Sequence, residues 1–136
     1  MKKGGFTMIE LIFVIVILGI LAAMAIPKLS VTRDDAKVAK DVMNASQALH
    51  SLGAEWTSKE EWLEYTQEKA NESVECLTFT TSNDGNVTLA PLASASAACT
   101  ESMLSGVKKL AASNGLLNRD GSAKIHRYGG SKIAND

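Results

Sequence analysis

The chain has 136 residues and a formal net charge of −1. That length accommodates one modest globular domain plus one extra element. The near-neutral balance excludes the strongly basic character by which a whole chain engages nucleic acid.

Lys2-Lys3-Gly4-Gly5 precede an apolar run, Phe6–Ile26, whose single charge is Glu10. A helix of about 21 residues spans roughly 30 Å of hydrocarbon. Gly19 is its only strong helix weakener. Lysines ahead of the run place the N-terminus in the cytoplasm and everything after Pro27 outside. There Cys76 and Cys99 meet an oxidising compartment, where two cysteines are most simply one disulfide. An ionised acid beside a membrane-spanning stretch is costly and asks for a partner. A cut between Gly5 and Phe6 would create one, the new α-ammonium group. Two other readings of this segment stay open. Ala23-Met24-Ala25 fits a secretory signal peptide cut after Ala25, which would release a soluble secreted protein. An uncleaved signal anchor is the third. Against the signal peptide, helical periodicity continues past Pro27. Leu29, Ala36, Ala39, Val42, Met43, Leu49 and Leu52 recur near helical spacing, with Asp34, Asp35, Lys37, Lys40 and Asp41 mostly between them. The pattern predicts one helix from about Thr7 to about Leu52. Its first half is apolar all round, its second half amphipathic, and Pro27 is tolerated as a kink.

Gly5-Phe6-Thr7-Met8-Ile9-Glu10-Leu11, then Gly19-Ile20-Leu21-Ala22-Ala23 and Ala25-Ile26-Pro27, resembles the N-terminal block of type IV pilins and the pseudopilins of type II secretion. The resemblance covers roughly the first 30 residues. It implies a basic leader, residues 1–5, removed by a prepilin peptidase that also N-methylates Phe6. It implies a transmembrane and filament-core helix over residues 6–27, and a periplasmic or extracellular pilin-like domain over residues 28–136 that includes the second half of the helix. The expected fold is α+β. Filament assembly would use Phe6, Glu10, Gly19 and Pro27. In the family the acid matching Glu10 pairs with the terminal amine of a neighbouring subunit, and the stretch matching Gly19 to Pro27 can lose helix on assembly. Residue chemistry agrees: in a low-dielectric bundle an unpaired carboxylate and an unpaired ammonium are each unfavourable, whereas together they offset one another and penalise wrong registers. The implied partners are the peptidase and methyltransferase, other copies of the chain or related pilins, and the bacterial inner membrane before assembly. The implied destination is a periplasmic pseudopilus or a cell-surface pilus.

In the remainder, Gly53 is expected to end the first helix. Ser58-Lys59-Glu60-Glu61 reads as a capping box opening a short helix to about Ala70, with Trp62 and Tyr65 inward and Trp56 beside it. The two tryptophans read as core anchors rather than a ligand site. Cys76–Thr81 and Val87–Leu89 alternate around the turn Asn83-Asp84-Gly85-Asn86, a β-hairpin. Pro91 and the Ala/Ser run form its exit. Cys99, Met103, Val107 and Leu110 mark a second helix face, closed by Asn114-Gly115. Ala123–Tyr128 reads as a last strand, and Gly129-Gly130 with the polar end as a mobile tail.

Charge is segregated in this half. Residues 55–84 carry eight acids against Lys59 and Lys69, a balance of −6, and residues 103–136 carry six bases against Asp120 and Asp136, a balance of +4. These segments either attract one another between copies or are two solvated surfaces. Lys108, Lys109, Arg119, Lys124 and Arg127 give a weak DNA-binding alternative, a minor pilin holding DNA during uptake. Asp84-Gly85-Asn86-Val87-Thr88 contains an Asn-x-Thr glycosylation acceptor at Asn86, which the turn already explains in part. His50 and His126 have no metal-ligand spacing with the cysteines. No calcium-binding loop of the secretion pseudopilin kind follows the long helix. No catalytic constellation or cofactor motif is present, so the expected class is structural rather than enzymatic.

Overall fold

A helix of 52 residues, α1 (Met8–Lys59), occupies the first part of the chain. After it come α2 (Glu64–Glu72), β1 (Leu77–Ser82), β2 (Asn86–Pro91), α3 (Glu101–Ser113) and β3 (Lys124–Arg127). The computed structural model describes residues 4–129. The class is α+β, and the chain divides into two compact units, one up to Asp34 and one from Asp35.

In the second unit the strands form one antiparallel sheet in the order β1-β2-β3. Phe79 pairs with Leu89, and Val87 with His126. Alternation turns Leu77, Phe79, Val87 and Leu89 to a buried face. The core is completed by Val38, Val42, Ala45, Leu49 and Leu52 of α1 and by Met103, Leu104, Val107 and Ala111 of α3. Both helices thus bury the stripe that helical periodicity assigns them. Thr100 caps α3, its hydroxyl accepting from the Met103 amide, and Gly115 follows the helix at φ 76°. The sulfurs of Cys76 and Cys99 are bonded, with Cα atoms 5.2 Å apart and both residues fully buried. The disulfide joins the approach to β1 to the approach to α3.

Helix α2 shields the outer edge of β1. The Asn71 amide accepts from the Phe79 N–H at 2.6 Å and donates to the Phe79 carbonyl at 3.2 Å, imitating a neighbouring strand. Trp62 Nε1 donates to the Ser82 carbonyl at 2.7 Å, and Gln67 bonds Thr81. An otherwise open sheet edge is thereby occupied.

Four expectations need correction. Helix α1 does not stop near Leu52 but runs to Lys59, with Gly53 buried inside it. A Cβ on Gly53 would come within 2.3 Å of the Tyr128 ring, and the Tyr128 hydroxyl donates to the Leu49 carbonyl at 3.0 Å. Gly53 is therefore a point of close approach, worth its helix penalty of about 1 kcal/mol relative to Ala. The capping box at Ser58 is not used: Ser58 lies in α1, its hydroxyl donates to the Glu55 carbonyl, and α2 starts later with Leu63 at its N-cap. The chain reverses instead at Glu60, which adopts φ 55°. Tyr65 is 69% exposed rather than inward, whereas Trp62 does pack against the core and lies 4.9 Å from Trp56. Gly129 is held, its N–H donating to the Gly85 carbonyl at 3.1 Å, and the rest of the expected mobile tail lies outside the described residues.

Gly85 concentrates several of these contacts. It takes φ 78° in the hairpin turn, and a Cβ there would meet Trp56 Cε2 at 2.5 Å. Its carbonyl also accepts from the Tyr128 N–H at 2.9 Å. The turn needs glycine both for its left-handed backbone and for space.

Candidate functional site

The N-terminal unit is built around the start of α1. Residues 4–7 precede the helix and are exposed. The Glu10 carboxylate accepts from the Thr7 N–H at 2.9 Å and from the Thr7 hydroxyl at 3.1 Å, while the Glu10 N–H donates back to that hydroxyl at 3.3 Å. Thr7-Met8-Ile9-Glu10 is thus a reciprocal capping box. Its sequence signal is the Ser/Thr-x-x-Glu spacing Thr7-Met8-Ile9-Glu10. Glu10 has two compatible tasks: it closes the first turn of α1 and carries the only charge of the apolar segment.

From Leu11 to Val31 the large apolar side chains are exposed among the described residues. Phe6 is 90% exposed and Phe13 67%. Leu11, Ile12, Phe13 and Val14, four consecutive residues that point around the whole helix, are all exposed. By length and composition α1 is a helix able to cross a membrane. Pro27 lies inside it. A Cβ on Gly19 would meet nothing within 4 Å, so no contact among the described residues asks for glycine there. The leader lysines, Lys2 and Lys3, lie outside the described residues.

In the second unit Lys108, Lys109, Arg119 and Lys124 line one open cleft of about 790 Å³ between the end of α3, the following loop and the start of β3. Lys124 Nζ is fixed on the Gly115 carbonyl at 2.6 Å. Arg127, at the far end of β3, is not part of the lining. Asp120 also faces the cleft; its carboxylate accepts from the Ser122 N–H at 3.0 Å and hydroxyl at 2.6 Å, which holds it below the usual aspartate range. Asn86 begins β2 and is half-buried opposite Arg127. His126 contacts the Leu116 carbonyl at 2.9 Å, and His50 is exposed on α1. Among the described residues no cluster of His, Cys, Asp or Glu is arranged to hold a metal ion.

Asp41, which helical periodicity places on the polar face of α1, is buried in the core. Only 4% exposed, it accepts from the Glu75 N–H at 2.6 Å and the Cys76 N–H at 3.1 Å. Burial pushes its carboxyl above the usual aspartate range, against the opposing effect of those two bonds. Its partners lie more than thirty residues away in sequence, so no local pattern announces them. Asp41 anchors the chain directly ahead of the disulfide and β1.

Residues 1–26 match the prokaryotic N-terminal methylation motif. That motif is the signature of type IV pilins and pseudopilins, and the match covers the first 26 of the 136 residues. The group it marks is structural rather than enzymatic. No curated protein and no solved structure shows significant similarity to the chain.

Proposed function

We infer that this chain is a structural subunit of a helical filament, a type IV pilus or a secretion pseudopilus. It is inserted in the bacterial inner membrane with its N-terminus in the cytoplasm and cut between Gly5 and Phe6 by a prepilin peptidase. It is then N-methylated on Phe6 and moved into a bundle of its own N-terminal helices. The observation that carries this reading is the exposure of every large apolar side chain from Met8 to Val31 of a helix whose first part, to Ile26, lies within the methylation motif. A soluble monomer does not leave so extensive an apolar surface in water. Hydrocarbon covers it before assembly, and the helices of other copies cover it afterwards.

Cleavage supplies the counter-charge for Glu10. The mature chain keeps 14 − 2 = 12 bases against 15 acids, a net charge of −3, and gains an α-ammonium at Phe6. Inside a bundle this group and the Glu10 carboxylate of a neighbour stabilise one another, and any other register leaves two unpaired charges in apolar surroundings. The pair fixes where a subunit is added, while the apolar helices supply most of the attraction. Gly19 fits the same picture, because its reason lies outside the isolated chain, and with Pro27 it marks where helix is cheapest to lose. N-terminal mass analysis of the chain from membranes or filaments tests the processing step. The expected first residue is N-methylated Phe6. Ile26 at the terminus would indicate a secreted protein, and Met1 an uncleaved anchor; either overturns the reading.

A further inference from the structure

The acids of α2 and the basic cleft lie at different edges of the sheet. At the β1 edge, α2 exposes Glu64, Glu68 and Glu72. Their spacing of four residues aligns them in one stripe along the helix. Asn71 and Trp62 fasten this helix to the β1 backbone, so the stripe has a fixed position. At the β3 edge, Lys108, Lys109, Arg119 and Lys124 converge on the open cleft at the end of α3.

We propose that these surfaces are the two halves of one contact between copies, the acidic stripe of α2 in one subunit against the basic cleft of the next; this rests on the filament reading above. Three observations select a second copy as the occupant. The charges are complementary: Glu64, Glu68 and Glu72 with Lys69 on α2, and Lys108, Lys109, Arg119 and Lys124 with Asp120 at the cleft. They stand on different edges of one sheet, so a subunit that uses its stripe still offers its cleft. A head-to-tail contact of this kind repeats from copy to copy and builds a filament when its rotation does not close into a ring, whereas a self-complementary patch would end in a dimer. Finally, β3 is a four-residue edge strand carrying Lys124 and Arg127, which disfavours strand addition as the means of association. Individual exposed ion pairs contribute little. The contact therefore orients and speeds subunit docking, and it weakens as salt screens it.

Charge reversal in the full-length chain, in cells that assemble it, tests the contact. E64K/E68K and K108E/K109E are each expected to lower filament yield roughly tenfold, because each places like charges face to face. The four-fold swap is expected to restore most of the yield, with membrane levels and the disulfide unchanged throughout. Carbodiimide coupling of filaments grown from isotopically light and heavy copies is expected to join Glu64 or Glu68 of one copy to Lys108 or Lys109 of another. Unchanged yield in both reversals, or no rescue by the swap, overturns the contact. So does retention of duplex DNA at low salt that K108E/K109E abolishes while filaments persist, which would assign the cleft to nucleic acid. Failure of the filament reading itself looks different: the unreversed chain would then form no filaments.

Discussion

The two parts of α1 share a backbone conformation and differ in what their side chains meet. From Met8 to Val31 apolar residues occur on all sides of the helix and remain exposed. From Val38 onward they narrow to a stripe, Val38, Val42, Ala45, Leu49 and Leu52, and that stripe is buried under the sheet and α3. A stripe specifies a partner on one side, and here the chain provides it. An apolar surface without direction specifies surroundings, and here the chain provides none. The first segment accordingly asks for surroundings outside the chain, which the proposed membrane and filament would supply, and the second reports on the fold.

The largest effect should come from separating the two parts of α1. A chain beginning at Asp35 should dissolve without detergent and keep a cooperative thermal transition within a few degrees of the full chain's. The full chain should remain in the membrane fraction. Aggregation or unfolding of the shortened chain would show that the second unit depends on the first. A smaller effect, confined to the second unit, should come from replacing Cys76 and Cys99 by alanine. The bond spans 23 residues, and its loss should cost about 3 kcal/mol in denaturant unfolding. Helix insertion into membranes should be unaffected.

Asp41→Asn should cost less, about 1–3 kcal/mol at neutral pH, because the amide can accept from only one of the Glu75 and Cys76 N–H groups and leaves the other buried without a partner. The sign of the pH effect follows from the raised carboxyl of Asp41. The folded chain holds this proton to higher pH than the unfolded chain does. The contribution of Asp41 therefore favours folding most below the ordinary aspartate range and declines as pH rises through the raised value. Melting temperatures across the acidic range should show that component in the native chain and lose it in Asp41→Asn. Its persistence in the variant would assign it to another acid.

Much of this organisation was legible in the sequence, for physical reasons that differ by region. The hairpin, the third helix and the last strand follow from local alternation, turn residues and a glycine stop, and each lies where those signals put it. The end of α1 was not legible, because Gly53 reads as a breaker until Tyr128 is seen pressing on it from 75 residues away. Ser58 offered a capping signal that the longer helix absorbed. Asp41 was hidden for a related reason: at the level of periodicity a charged residue belongs outside, and only the distant amides of Glu75 and Cys76 make its burial tolerable. At the N-terminus the apolar run and Glu10 were plain, whereas the Thr7–Glu10 box shows in the reciprocal bonds of the folded helix start.

That box also sharpens the decisive measurement, since Glu10 both caps α1 and is inferred to pair with a neighbour. Filament yield can be compared for Thr7→Ala, which removes the capping hydroxyl and keeps the carboxylate, and for Glu10→Ala, which removes the carboxylate. The thermal transition of the second unit and the membrane levels should be unchanged in both. The account predicts filaments from Thr7→Ala and few or none from Glu10→Ala. Normal filaments from Glu10→Ala would contradict it.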